Sequence, residues 1–228
     1  MDAEVLERLA GRALREVPDG ALIGLGSGHT AAAFVRALGR RVRDGLRVRG
    51  VPTSVATERL AREVGVPLAT LDEGVLDLTV DGADEVDPRL DLIKGYGGAL
   101  VRERIVAAAA RRVIILVEGE KLVPVLGRRG RLPVEVIPFA TPLVMRELAE
   151  RGCRPTLRTV DGNTFVSDNG NWIIDCAVRA IEAPASLAGE LRAIPGVVES
   201  GLFLGMAELV LVAEAGRIRE LGRGETPA

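Results

Sequence analysis

The chain has 228 residues, 47% of them hydrophobic and 3% aromatic, and a formal net charge of -2. That length and apolar content supply a real core for one large domain or two small ones. Near-neutral charge and scarce aromatics give neither the basic footprint nor the stacking platform of a polynucleotide-binding protein, so no nucleic-acid partner is expected.

The segment Met1 to Arg8 is acidic and amphipathic rather than basic and then apolar, and no apolar run reaches the length of a membrane span. No membrane partner is expected, and the expected location is cytoplasmic. Cys153 and Cys176 stand alone, with no nearby cysteine or histidine to complete a zinc site or a redox pair, and read as buried, reduced thiols. His29 is the only histidine. Carboxylates and lysines must therefore carry any acid-base chemistry.

In chain order, apolar residues at helical spacing predict a helix over 5–17, ended by Pro18-Asp19-Gly20. A short buried strand over 21–23 leads into Gly24-Leu25-Gly26-Ser27-Gly28-His29-Thr30 and then a second helix. Further strands are predicted over 48–51, 66–71, 76–80 and 113–117, with helices over 55–64 and 99–112. Such alternation argues for a parallel sheet covered by helices. The polar, glycine-bounded segment 127–130 reads as a linker. Beyond it come strand 133–138, helix 141–151, strands 155–160 and 171–177, helix 186–194 and strand 197–203, with 164–166 a further pairing candidate. That β-α-β-β-α-β order is ferredoxin-like. The apolar run 208–213 is expected to return to the first domain. The fold class is therefore α/β: a Rossmann-like parallel-sheet domain, 1–128 and 205–228, with an inserted smaller α+β domain, 129–204.

The loop 24–30 offers backbone N–H groups and two hydroxyls at a helix start, where the helix dipole favours an anion such as phosphate. It is not a Walker loop. His29 also occupies the third glycine position of a dinucleotide fingerprint, and Pro52-Thr53-Ser54 lacks the acidic residue that a nicotinamide site needs. His29 itself is open to two readings, phosphate contact or incidental cap.

The densest polar stretch follows the strand 76–80: Asp81-Gly82-Ala83-Asp84-Glu85-Val86-Asp87, then Lys94-Gly95-Tyr96-Gly97-Gly98-Ala99-Leu100, then Glu103. Of the 30 cationic residues only Lys94 and Lys121 are lysine, a compact point charge where arginine is a rigid fork. Asp81 and Asp84, just past a strand end, can hold a metal, exchange protons with hydroxyls or cap a helix. Glu85 and Asp87 are available as further metal ligands, although Asp87-Pro88 reads as a turn. Lys94 would repel a metal, and hydrogen bonding to a polyol accounts better for aspartates, lysine and glycines together. On a helix, Glu103 shares a face with Ala99, Val106, Ala107 and Ala110. Burial there would raise its pKa toward that of a general base. The alternative is an exposed first-turn glutamate serving the helix dipole. Tyr96, the only tyrosine, packs either on a ligand or on its own loop.

Taken together with Pro133-Val134-Glu135-Val136-Ile137-Pro138, Asp168-Asn169-Gly170-Asn171 and Gly196-Val197-Val198-Glu199, these blocks closely resemble type A ribose-5-phosphate isomerase over nearly the full chain. That family commonly has Thr-Gly-Ser-Thr where this chain has Ser27-Gly28-His29-Thr30, and glycine where it has Tyr96. The resemblance implies isomerisation of ribose 5-phosphate and ribulose 5-phosphate in the pentose phosphate pathway, a homodimer or larger homo-oligomer, and no metal or other cofactor. It implies Glu103 as the base, and Lys94 with the amides near Gly95 and Gly97 as oxyanion stabiliser. Asp81 and Asp84, with Gly82 and Ala83 between them, would meet the sugar. Ser27, Gly28, His29, Thr30, Tyr96 and Lys121 would complete the phosphosugar site. Two other function classes compete with this reading. A phosphosugar-sensing domain would not need Glu103 on an apolar face, and a nicotinamide-dependent reductase would need the missing acidic residue.

Overall fold

The computed structural model describes residues 3–223; the first two residues of the acidic start and the last five of segment 205–228 lie outside them. In chain order the elements are α1 (Ala3–Leu14), β1 (Ala21–Leu25), α2 (His29–Arg43), β2 (Val48–Pro52), α3 (Val55–Glu63), β3 (Leu78–Gly82), β4 (Glu85–Val86) and β5 (Leu92–Ile93). They continue with α4 (Leu100–Ala108), β6 (Val113–Glu118), β7 (Arg131–Val136), α5 (Thr141–Glu150), β8 (Arg154–Leu157), β9 (Thr159–Val160) and β10 (Asn163–Thr164). The last are β11 (Trp172–Ala177), α6 (Pro184–Arg192), β12 (Val197–Ser200), β13 (Leu202–Phe203), β14 (Leu209–Glu214) and β15 (Arg217–Gly222). Among the described residues no helix is long and apolar enough to cross a membrane.

The described residues form two compact units, one within 1–83, 102–121 and 205–228, the other within 84–101 and 122–204. The sequence-based division at 128/129 differs from this partition, because 84–101 and 122–128 group with the second unit. The reason is hydrogen bonding. β5 pairs with β4 on one side and β13 on the other, and Val123 N–H donates to the Val86 carbonyl at 2.9 Å.

The first unit is a six-stranded sheet in the order β15-β14-β6-β3-β1-β2, parallel except for β15. β1 and β3 are buried at every position, as a strand covered on both faces must be. Ile23, Leu25, Val80, Ile114 and Leu116 pack with Leu9, Phe34, Val35 and Leu38 from α1 and α2. Leu22, Val51 and Leu76 pack with Val106 of α4. The run 66–71, expected as a strand, makes only an isolated bridge from Leu68 to Gly50. Pro67 has no N–H to donate, and Thr70 and Glu73 close a capping box that turns the chain into a 3-10 helix. α4 stops at Ala108, short of the expected 112, because Leu76 draws off the backbone of Ala109 and Arg111 at 3.0 and 2.9 Å. The run 208–213 does return to this sheet, as β14.

The second unit carries a four-stranded antiparallel sheet in the order β12-β7-β11-β8. That is the 4-1-3-2 order of a ferredoxin-like unit. Leu132, Val134, Val136, Ile174 and Cys176 face Val144, Leu148 and Leu191 of α5 and α6. The other sheet face presents Arg131, Pro133, Glu135, Ile173 and Asp175, because successive residues alternate faces. Glu135 is fully buried there, and its Oε1 accepts hydrogen bonds from Ser167 Oγ, Asn169 Nδ2 and Asn171 Nδ2 at 2.8, 3.2 and 3.0 Å. The run 197–203 is split at Gly201, whose backbone links Pro133 to Lys94: its N–H donates to the Pro133 carbonyl and its carbonyl accepts from Lys94 N–H.

Candidate active site

In the first unit, β1, β3 and β6 are neighbours, so the carboxyl ends of three strands lie side by side, the edge at which parallel sheets bind ligands. The loop after β1 carries Ser27, Gly28, His29 and Thr30; the end of β3 carries Asp81 and Gly82, with Ala83 after it; the turn after β6 carries Lys121.

Gly28 caps α2 with φ 91°, a left-handed value that favours glycine. With no acidic residue in the first turn of α2, its N–H dipole ends are not offset by charge from that turn. The Ser27 hydroxyl lies 2.8 Å from Thr53 Oγ1, 2.7 Å from Ser54 Oγ and 3.2 Å from Thr57 Oγ1, and Thr57 donates back to the Gly26 carbonyl at 2.9 Å. Thr53, Ser54 and Thr57 are buried. They fix the loop from behind, and sequence reading missed them. The available signal was Ser54-x-x-Thr57 at a strand-to-helix turn, where Ser54 caps α3 through Thr57 N–H.

Asp81, only 4% exposed, accepts both Ser27 N–H and Gly82 N–H on Oδ1, at 3.0 and 2.7 Å. It therefore joins the strand end to the glycine loop. Gly26 makes the approach possible, because a Cβ there would stand 2.5 Å from the Asp81 Cα and closer still to its carboxyl group. His29 is exposed and its Nε2 lies 3.0 Å from Glu118 Oε1 at the end of β6. Lys121 is 19% exposed beside Glu120, 3.3 Å away. Glu103 on α4 is 6% exposed and lies on the buried face with Val106 and Ala107, so the exposed first-turn reading does not describe it.

The second unit holds Asp84, Lys94, Gly95, Tyr96 and Gly97. Asp84 N–H donates to the Ile93 carbonyl at 2.8 Å, and its Oδ2 accepts Tyr96 N–H at 2.9 Å, which draws these segments together. Lys94 is 4% exposed, with Nζ 5.6 Å from the centre of the Phe203 ring. Gly95 and Gly98 take φ of 105° and 85°, and Gly98 N–H closes a turn onto the Gly95 carbonyl at 3.0 Å. A Cβ at Gly98 would collide with the Phe165 ring. Gly97 is exposed. The Tyr96 ring stacks under the Arg131 guanidinium at 3.9 Å and its hydroxyl donates to the Arg131 carbonyl. Burial, then the charges of Glu85 and Asp84, push its phenol up to about 12.

Glu85 and Asp87, the candidates for further metal ligands, are engaged with backbone N–H groups. The fully buried Glu85 accepts N–H groups of Gly127 and Arg129, both at 2.6 Å, and burial raises its carboxyl. Asp87 Oδ1 closes a turn on Arg89 and Asp91 N–H. Among the described residues no group of three or more His, Cys, Asp or Glu side chains is gathered as a metal would need.

The family model for ribose 5-phosphate isomerase A (phosphoriboisomerase A) matches residues 49–217. A ribose-5-phosphate isomerase A of Gloeobacter violaceus is 50% identical over 230 residues, covering 100% of both chains. The structure of ribose 5-phosphate isomerase A from Methanocaldococcus jannaschii is 42% identical, with a TM-score of 0.92 and coverage of 96% of this chain and 98% of that one. A D-ribose-5-phosphate isomerase in complex with phospho-erythronic acid is 40% identical, with a TM-score of 0.94 and coverage of 98% and 100%.

Proposed function

The chain belongs to the ribose 5-phosphate isomerase A family, and from that premise we propose that it interconverts D-ribose 5-phosphate and D-ribulose 5-phosphate through an enediolate, as a step of the non-oxidative pentose phosphate pathway. The observation that carries the assignment of the base is Glu103, a carboxylate buried on the apolar face of α4. In the open-chain aldose the C1 carbonyl acidifies the C2–H bond. The Glu103 carboxylate takes the C2 proton, the C–H electron pair becomes the C1–C2 double bond, and the carbonyl pair moves onto O1. The O2 proton passes to O1, Glu103 returns its proton to C1, and the carbonyl re-forms at C2. No atom or electron is gained or lost.

Charge develops on oxygen during this shift, and a buried cation beside backbone N–H groups is what stabilises it without reorganisation. Lys94 and the amides near Gly95 and Gly97 have that role. Asp81 and Asp84 hydrogen-bond the sugar hydroxyls and assist opening of the furanose ring. Ser27, Gly28, His29, Thr30 and Lys121 receive the phosphate, supported by the amide-rich start of α2. Phospho-erythronic acid, bound by the 40% identical relative, is a phosphorylated polyol ending in a planar anionic carboxylate, and so shares the charge and planarity of an enediolate.

The test is ketose formation from ribose 5-phosphate by purified, chelator-treated protein with no nicotinamide added. Turnover is expected, and its absence would overturn the reading. Glu103→Gln keeps the shape and removes the base, so kcat falls by roughly 10³-fold with substrate binding retained. Full activity in that variant would remove Glu103 from the mechanism.

A further inference from the structure

Between β8 and β9 the chain places one side chain that no motif called for. Arg158 is 9% exposed. Its Nε and Nη2 fork onto the Asp175 carboxylate at 2.9 and 2.5 Å, and its Nη1 donates to the carbonyls of Gly95 and Tyr96 at 3.0 and 3.1 Å. Its own backbone is fixed, with N–H to the Ile173 carbonyl at 2.8 Å and carbonyl from Phe165 N–H at 2.9 Å. The guanidinium also lies 5.6 Å from the centre of the Phe165 ring, the ring that occupies the space a Gly98 side chain would fill.

We propose that Arg158, aligned by Asp175, is a positioning residue that sets the direction of the Tyr96 and Gly97 amides. The argument is the planarity of the peptide unit. In a trans peptide, C=O and the following N–H point in opposite directions. Holding the Gly95 carbonyl therefore aims Tyr96 N–H away from Arg158, and that N–H meets Asp84 Oδ2 at 2.9 Å. Holding the Tyr96 carbonyl aims Gly97 N–H in the same manner. A loop with two positive-φ glycines, Gly95 and Gly98, has many conformations open to it, so a fixed donor on two successive carbonyls selects one. Only a guanidinium meets the pattern, because its planar fork grips the carboxylate with one edge while a remaining N–H reaches the loop.

The inference rests on the isomerase reading and is tested on the full chain with ribose 5-phosphate. Arg158→Lys keeps the charge and loses the fork; Asp175→Asn keeps the arginine and loosens its alignment. Displacing a charge-stabilising amide by about 1 Å costs on the order of 10²-fold in rate. Arg158→Lys is therefore expected to lower kcat 30- to 300-fold with KM changed less than about threefold, and Asp175→Asn to lower kcat by about tenfold. A second readout is the ionisation of Tyr96, the only tyrosine. Its midpoint is expected to move from about 12 toward 10 in Arg158→Lys as the loop loosens. Arg158→Lys that is folded by its thermal melt and matches wild-type kcat would overturn the proposal. A fall confined to melting temperature, with kcat of the folded protein intact, would also overturn it by making Arg158 structural only. Should Arg158→Lys fail to fold, Asp175→Asn decides on the same kcat criterion. An inactive wild type would instead refute the isomerase reading.

Discussion

Gly26→Ala is the smallest change that separates the glycine loop from Asp81. The added Cβ would stand 2.5 Å from the Asp81 Cα and nearer still to its carboxyl carbon and Oδ1. Ordinary contact between carbon atoms is about 3.5 Å, so loop and strand end must part by about 1 Å. Neither side yields easily. The loop is tied to β3 by Gly26 N–H on the Val80 carbonyl at 2.9 Å, and behind it Thr57 holds the Gly26 carbonyl. Separation stretches the Ser27 N–H donor on Asp81 Oδ1, a bond to a carboxylate contributing about 1.5–3 kcal/mol. With overpacking of about 1–3 kcal/mol, the expected loss is about 4 kcal/mol. For a chain of this size that is a drop in melting temperature of about 12 °C, read by circular dichroism. The same displacement moves the carboxylate proposed to meet the sugar, so turnover of ribose 5-phosphate is expected to fall about 10²-fold. A variant melting within a degree of wild type with unchanged turnover would show that the loop does not need glycine there, and would refute the described packing of Asp81.

Two further outcomes follow from the second unit. Titrating the near-ultraviolet tyrosinate absorbance should give a midpoint near 12 for the native protein and near 10 after unfolding. Because the folded value is the higher, the neutral phenol contributes stability below pH 10 that is lost as pH rises through 12; a native midpoint at 10 would contradict the burial of Tyr96. Glu135→Ala strips the acceptor from Ser167 and Asn171, costing about 3–4 kcal/mol. Chemical denaturation should report that loss, whereas a change under 1 kcal/mol would mean that water replaces the carboxylate.

Sequence patterns reported the molecule well where one local rule decided the outcome. The alternation of apolar runs and helical spacings gave the parallel sheet, and β-α-β-β-α-β gave the order of the smaller sheet, because both depend on periodicity and short connections. The angular position of Glu103 also followed from helix geometry alone. Misreadings occurred where a distant backbone competed. Helix 99–112 loses its end to Leu76, and β15, with Arg217, Arg219 and Glu220, is too charged to read as a strand. It forms because Ala215 and Gly216, at φ 47° and 74°, make a tight turn back onto β14.

The polar residues divide along the same line. Asp81 and Lys94 were visible as chemistry, since their types are unusual for their places in the chain. What holds them was not visible, because the holders are backbone amides and common side chains brought in from far away: Thr53 and Thr57 behind Ser27, Gly201 on the amide of Lys94, Arg158 on the carbonyls beyond it. Arginine is abundant in this chain, so Arg158 carries no compositional signal. Its significance comes from where its three nitrogens point, and that is set by Asp175, a register partner of Thr156 and Pro133 on neighbouring strands. A residue that reacts is thus legible by type, while a residue that positions another is legible only once strand register is known.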